Sequence, residues 1–387
     1  MEIPKEGTGL TFLLSRVKIS FSQVLLLFSL VIAIQVFYYI YFFCRLANYD
    51  SLPVSSENLP PVSIVICAHD EMNGLRKNLP SILEQKYPQY EVIVVNDNSE
   101  DDTEMILMQL QAKYPHLVVR DIRTSSKNMR GKKYPLTIGI RAALHEYVLL
   151  TDADCAPSGD HWIRDVAGMF QTGKEIVTGY APYRRHPGFL NKFIRYETFT
   201  TAMQYFSFAL ARIPYMGVGR NLAYQKKVFF DHNIYPKYPQ LLSGDDDLLI
   251  NAAANETNTA IQTSKSSFMF SEPKETWDEY WHQKRRHIST GRYYKLSHRI
   301  LLMLFPVSSL FFYILLFLCL FYADIRVEAL LLLIIKTCVQ GIVFRENMKK
   351  LGEEDLFLLF PLMDILFLLY YLRLLPFLIT NREASWK

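Results

Sequence analysis

The chain has 387 residues, half of them hydrophobic, and 42 Lys and Arg against 38 Asp and Glu leave a net charge of +4. That length holds one large domain or two medium ones, and so small a positive balance makes no case for a nucleic-acid partner. The five cysteines (Cys44, Cys67, Cys155, Cys319, Cys338) show no CxxC spacing, so neither a zinc site nor a disulfide framework is expected.

Residues 1–18 read as a short polar arm, with Leu10–Val17 a candidate interfacial helix. Ile19–Cys44 carries no charged side chain and exceeds the ~20 residues that cross a bilayer. Cys44-Arg45-Leu46 is no small-x-small cleavage site, so a retained transmembrane anchor over 19–44 is expected. A Ser, Pro and Asn linker over 45–60 leads to a soluble domain over 61–298.

The soluble domain opens with a β-branched strand, Val62–Ile66, followed by His69-Asp70-Glu71. Leu75, Leu79, Ile82 and Leu83 recur at helical spacing and predict a helix from Asn73 to about Lys86. Glu91–Val95 is a second strand, left by Asn96-Asp97-Asn98; Ser99 with Asp102 three residues on predicts a helix start, and the helix runs to about Tyr114. Leu117–Val119 is a third strand. The Tyr147–Thr151 strand ends at Asp152-Ala153-Asp154, and Ile176–Gly179 follows. Strands alternating with helices predict an α/β fold with a mostly parallel sheet, whose ligands sit beyond the carboxyl ends of the strands. Three polar clusters fall at those ends.

Two carboxylates at i and i+2 after a buried strand are costly without a positive partner. Mg²⁺ or Mn²⁺ carrying phosphate on its far side suits such a pair. An isolated DxD is also a common acidic turn, and only the neighbouring clusters set this one apart. Arg120–Lys133 has six Lys or Arg against one Asp; it is either a solvated loop or a source of a lysine for a diphosphate, in Gly131-Lys132-Lys133.

Phe189, Phe193, Tyr196, Phe199, Met203, Phe206 and Leu210 form an aromatic helix, either core or interfacial. Gly217-Val218-Gly219-Arg220-Asn221 is a tight loop. Gly244-Asp245-Asp246-Asp247 places three repelling carboxylates before an apolar helix start, a setting that raises a pKa toward the range of proton transfer. Trp281–Arg299 holds many cations and no carboxylate, and Ile300–Ala323 is then free of charge. This order puts the soluble domain in the cytoplasm, although Arg16 and Lys18 pull weakly the other way. The C-terminal membrane region over 299–387 holds about three segments near 300–323, 327–344 and 356–380; Lys336 interrupts the second, and Asp364 and Arg373 the third.

The motifs VSIVICAHDE, EVIVVNDNSEDDT, RGKKYPLTIGIRAAL, YVLLTDADCAPSGDHW, GVGRNLAY, SGDDDL and QKRRH stand in the order of the family 2 inverting glycosyltransferases, and the chain resembles that family from about Pro61 to Arg292. The resemblance implies a GT-A type nucleotide-sugar domain, metal-dependent through Mn²⁺ or Mg²⁺, with a donor that in this family is UDP-linked. It implies Asp97, with His69 and Glu71 beside it, on the nucleotide. Lys132, with Lys133 second, would lie at the phosphates. Asp152 would be shared between ribose and metal, and Asp154 would be the main metal ligand. Asp246 would be the general base with Asp245 in the family's Glu position, and Gln283, Arg286 and His287 would lie at the phosphate and acceptor side. His287 stands where processive synthases carry tryptophan, which together with the few membrane segments speaks against a long polymer. The expected function is transfer to a membrane lipid, lipid-linked glycan or growing saccharide at the cell (inner) membrane. A processive polysaccharide synthase subunit and a catalytically silent membrane scaffold are the alternatives.

Overall fold

A computed structural model describes residues 20–379 apart from 52–53, 56, 124–128 and 233. The arm over 1–18, with its candidate helix, lies outside the described residues. So does part of the basic stretch before Lys132.

The central sheet is built from β1 (Val62–Ala68), β2 (Tyr90–Asp97), β3 (Leu117–Ile122), β4 (Tyr147–Asp152), β6 (Ile176–Gly179), β7 (Leu222–Gln225) and β8 (Thr259–Gln262), in the order β3-β2-β1-β4-β7-β6-β8. β5 (Cys155–Pro157) pairs separately with β9 (Met269–Ser271). All pairings in the large sheet are parallel except those of β7, which runs antiparallel between β4 and β6. The Val, Ile and Leu runs of β1, β2 and β4 are buried on both faces, as helix-covered parallel strands require. Ala68 lies beside Asn96, and Cys67 beside Asp152. That register brings the three polar clusters to one edge of the sheet.

The helices are α1 (Phe21–Ala47), α2 (Met72–Leu83), α3 (Thr103–Lys113), α4 (Lys133–Ala142), α5 (Trp162–Ala167), α6 (Phe189–Leu210), α7 (Lys226–Asp231), α8 (Asp247–Ala253), α9 (Trp277–Ile288), α10 (Leu296–Phe321), α11 (Arg326–Leu351) and α12 (Phe360–Ile379). α2 buries the expected Leu75, Leu79, Ile82 and Leu83, and it ends at Leu83. The expected capping of α3 by Ser99 is not what forms. Asp101 accepts from the amides of Thr103 (3.0 Å) and Met72 (3.1 Å), while the Ser99 hydroxyl accepts from the Asp70 amide (3.0 Å). These side chains satisfy open amides just before and at the start of α2 across space, which local spacing does not reveal.

Among the described residues four helices are long and apolar enough to cross a membrane: Phe21–Ala47, Leu296–Phe321, Ala323–Leu351 and Glu354–Phe377. The second C-terminal segment therefore runs past the expected 344. Its interrupting Lys336 lies 2.8 Å from Asp364, the charge that interrupts the third. The two flaws neutralise each other, as charges inside a bilayer must.

The aromatic helix α6 is core and not interfacial. Phe193, Tyr196, Phe199 and Phe206 are buried with Phe42 and Phe43 of α1, Phe344 of α11 and Phe367 of α12. Phe42 and Phe208 stack with centroids 4.4 Å apart. Its buried Arg195 is held by Glu353 and Asp355, each at 2.9 Å, from the connection between α11 and α12. One aromatic core thus joins the soluble domain to the membrane helices.

Candidate active site

The end of β1 meets the end of β2 through His69, whose Nδ1 donates to the Asp97 carbonyl oxygen at 2.7 Å. Burial raises the Asp97 carboxyl pKa, opposed by His69. Asp70 and Asn98, one after each strand, both take left-handed backbone conformations (φ 54° and 52°). Such conformations gather where loops are held in place for function. Glu71 begins α2, and burial, then the Asp154 charge, pushes its carboxyl up to about 7. α2 presses on the DAD turn: a Cβ on Gly74 would lie 2.8 Å from Glu71 Oε2 and 3.1 Å from the Ala153 carbonyl.

At the end of β4, Asp152 Oδ1 lies 2.8 Å from Lys132 Nζ. Burial pushes the Asp152 carboxyl up, but Lys132, Arg220 and Arg286 outweigh it and hold the pKa below the usual range. Lys132 is likewise kept protonated by Asp152 against the opposing effect of burial. The Cys155 thiol donates to Asp154 (3.3 Å). Of the two candidate lysines only Lys132 reaches this place. Lys133 is fully buried, and its ammonium donates to the carbonyls of Leu241 and Ser243 (2.8 Å to the latter), so it pins the loop before the acidic triplet.

Gly244, at φ 96°, turns the chain into that triplet. Asp246 caps α8: its Oδ1 accepts from the Asp247 amide (2.7 Å) and its Oδ2 from the Gly219 amide (2.6 Å). Burial first, then the charges of Asp245 and Asp247, push its pKa up to about 8. Asp247 points elsewhere, accepting from the hydroxyls of Thr290 and Tyr294 (2.7 Å to the latter) and thereby tying α8 to the segment before α10. Among the three acids, Asp246 is the one suspended over the GVGRN loop.

Arg220 of that loop was not singled out by sequence as a site residue. Its guanidinium sits over the Tyr183 ring at 4.5 Å and donates to Ser271. An arginine directly after two closely spaced glycines, Gly217 and Gly219, in a tight loop is the signal that could have found it. On α9, Gln283 donates to the Tyr183 hydroxyl (3.3 Å), and burial with Lys284 and Arg286 nearby keeps His287 neutral.

Lys132, Asp152, Arg220, Asp245, Asp246, Gln283, Arg286 and His287 line one cavity of about 470 Å³. His69, Glu71, Asp97 and Asp154 are not among its described lining residues; they belong to the adjoining strand-end shelf. The cavity extends between the membrane helices as far as Gln35, Ser309, Lys336 and Asp364.

The family model described as "Glycosyl transferase family 2" matches residues 63–231. These residues belong to glycosyl transferase family 2. The glycosyltransferase domain is 26% identical over 271 residues to the probable glycosyltransferase YdaM of Bacillus subtilis (strain 168), covering 64% of this chain and 60% of that one. It is 32% identical over 158 residues to the poly-beta-1,6-N-acetyl-D-glucosamine synthase of Staphylococcus epidermidis (strain ATCC 35984), covering 39% and 37%. The chain thus spans 60% or less of these relatives' length. The mannosyltransferase PcManGT from Pyrobaculum calidifontis, solved with GDP-Man and Mn²⁺, aligns with a TM-score of 0.56 at 15% identity over 91% of this chain and 99% of that one. The glycosyltransferase domain has the GT-A fold. Asp245, Asp246, Gln283, Arg286 and His287 lie beyond the matched residues.

Proposed function

We propose that the protein transfers a sugar, with inversion, from a nucleotide-sugar donor to a membrane lipid, lipid-linked glycan or growing saccharide. The observation that carries this reading is that the Lys132–Asp152 pair and Asp246 face one cavity that continues between membrane helices. Asp97, His69 and Glu71 would hold the nucleoside, with uridine the expected base, and Lys132 and Arg286 would balance the diphosphate. Asp246, with Asp245 beside it, takes the proton of the acceptor hydroxyl. The hydroxyl oxygen then bonds to the anomeric carbon as the bond to the diphosphate breaks, and the electron pair leaves with the diphosphate. A single base with no protein nucleophile gives one displacement, hence inversion.

Among the described residues no three His, Cys, Asp or Glu side chains gather into a metal site. Mg²⁺ or Mn²⁺ needs only one or two carboxylates when phosphate completes its shell. Asp152, at the end of β4 and paired with Lys132, and Asp154, two residues on and close to Glu71, are carboxylates of the kind that fit as holders of the ion. When bound, the metal supplies positive charge opposite the departing diphosphate.

The basic stretch before α10 supports a position of the domain on the cytoplasmic side of the cell membrane. A second reading, processive polymer synthesis, draws on the same continuation of the cavity into the membrane, and product length separates the two. Thermal shift against UDP-glucose, UDP-GlcNAc and GDP-mannose with Mn²⁺ or Mg²⁺, followed by transfer of labelled sugar into a membrane extract, tests the proposal. Stabilisation by one donor and label in a lipid or glycan fraction are expected; no stabilisation by any of them sinks it.

A further inference from the structure

The membrane end of the cavity is polar without being charged overall. Lys336 Nζ donates to Gln340 Oε1 (2.6 Å) and Asp364 (2.8 Å), and Gln340 Nε2 donates to both Asp364 oxygens (2.8 and 2.9 Å). Lys336 is the one Lys or Arg that the membrane helices contribute to the described lining, and Asp364 matches its charge. Ionisable groups at this depth are costly and mark functional positions.

The wall is incomplete. Asp364 keeps 22% of its side chain accessible. Gln35 and Tyr196, each 1% exposed, line the same cavity, and Gln35 Oε1 and the Tyr196 hydroxyl have no hydrogen-bond partner among the described residues. Buried polar atoms are rarely left so, because the lost hydrogen bond is not recovered from water. Gln35 Oε1 and the Asp364 oxygens only accept. A fully ionised phosphate also only accepts, so it satisfies neither of them and could pair only with the Tyr196 hydroxyl among the unpartnered groups, whereas an alcohol hydroxyl donates to Gln35 or Asp364 and also accepts from Tyr196. The rings of Phe312 and Phe367 add apolar faces to the same wall.

We propose that this end of the cavity is an acceptor subsite for an uncharged, hydroxyl-bearing segment, and that it discriminates against lipid phosphates. The proposal rests on the transfer reading above for its role as acceptor, and its binding chemistry is testable without turnover. Labelled decyl β-glucoside is equilibrated with the full chain in nanodiscs and competed with dodecanol, maltotriose or polyprenyl phosphate. The wild type should retain decyl glucoside and resist polyprenyl phosphate. Displacement by dodecanol identifies a lipid alcohol as the natural occupant, and displacement by maltotriose a glycan.

Gln35→Leu, which leaves the ion pair intact, should weaken decyl glucoside binding about tenfold, the worth of one hydrogen bond. Asp364→Asn uncovers the Lys336 charge and should move the preference toward polyprenyl phosphate, a change that a purely structural pair would not produce. Preferential retention of polyprenyl phosphate by the wild type, or unaltered binding in Gln35→Leu, overturns the subsite. If the donor screen fails while decyl glucoside is still bound, the transfer reading falls and the subsite stands.

Discussion

Lys132 and Asp152 form an ion pair of 2.8 Å, each about one-third exposed, where α4 meets the carboxyl end of β4. The pair holds a cation at the end of β4, where the proposed function puts the diphosphate, while its neighbour Lys133 is spent on the loop before Asp245. Lys132→Met is expected to lower kcat/KM for transfer by about 100-fold, the scale for losing one charge-stabilising donor. Lys133→Met is expected to act on stability instead, by about 1–3 kcal/mol, since the Leu241 and Ser243 carbonyls lose their partner. Steady-state kinetics and thermal unfolding of the two variants check the division; equal losses of activity at equal stability would refute it.

The acidic triplet divides in the same way. Asp246→Asn should abolish transfer and leave metal-dependent nucleotide binding; loss of that binding as well refutes the base assignment. Asp247→Asn should lower the unfolding temperature, because Thr290 and Tyr294 lose a charged acceptor.

The raised pKa of Asp246 has two consequences of opposite sign. As the proposed base it would work ionised, so transfer should rise with pH through about 8. For stability, the folded state binds this proton more tightly than the unfolded chain, where a carboxyl titrates near about 4. The contribution is therefore present at low pH and lost as pH rises from about 4 to about 8. A pH series of initial rates and urea midpoints reads both, and Asp246→Asn should flatten this part of the stability curve.

Asp154→Ala should remove the response of activity to Mn²⁺ or Mg²⁺. Full activity of the wild type in chelator would end the metal-ligand role. Nucleotide binding measured with and without metal separates this effect from misfolding.

A reporter fused just after Arg45 should read cytoplasmic, since Arg45 closes α1 on the side of the soluble domain. A reporter signal from the opposite side would overturn the orientation.

Much of this was legible before any coordinates. Alternating strand and helix patterns foretold the sheet, and the clusters at 69–71, 96–98 and 152–154 foretold the edge at which they meet, because strand ends in parallel sheets are set by register. Long uncharged runs marked the membrane helices, since a bilayer admits no local alternative. Those are properties of short stretches, and the sequence by itself determined them. Tertiary structure alone decided which lysine faces Asp152, which acid of three lies over the GVGRN loop, and that Arg220 stands over Tyr183. It also decided that Lys336 and Asp364, two apparent flaws 28 residues apart, meet as one pair. Adjacent residues on a helix or loop point in different directions, so their partners come from distant elements, and burial beside those partners sets the charge each carries.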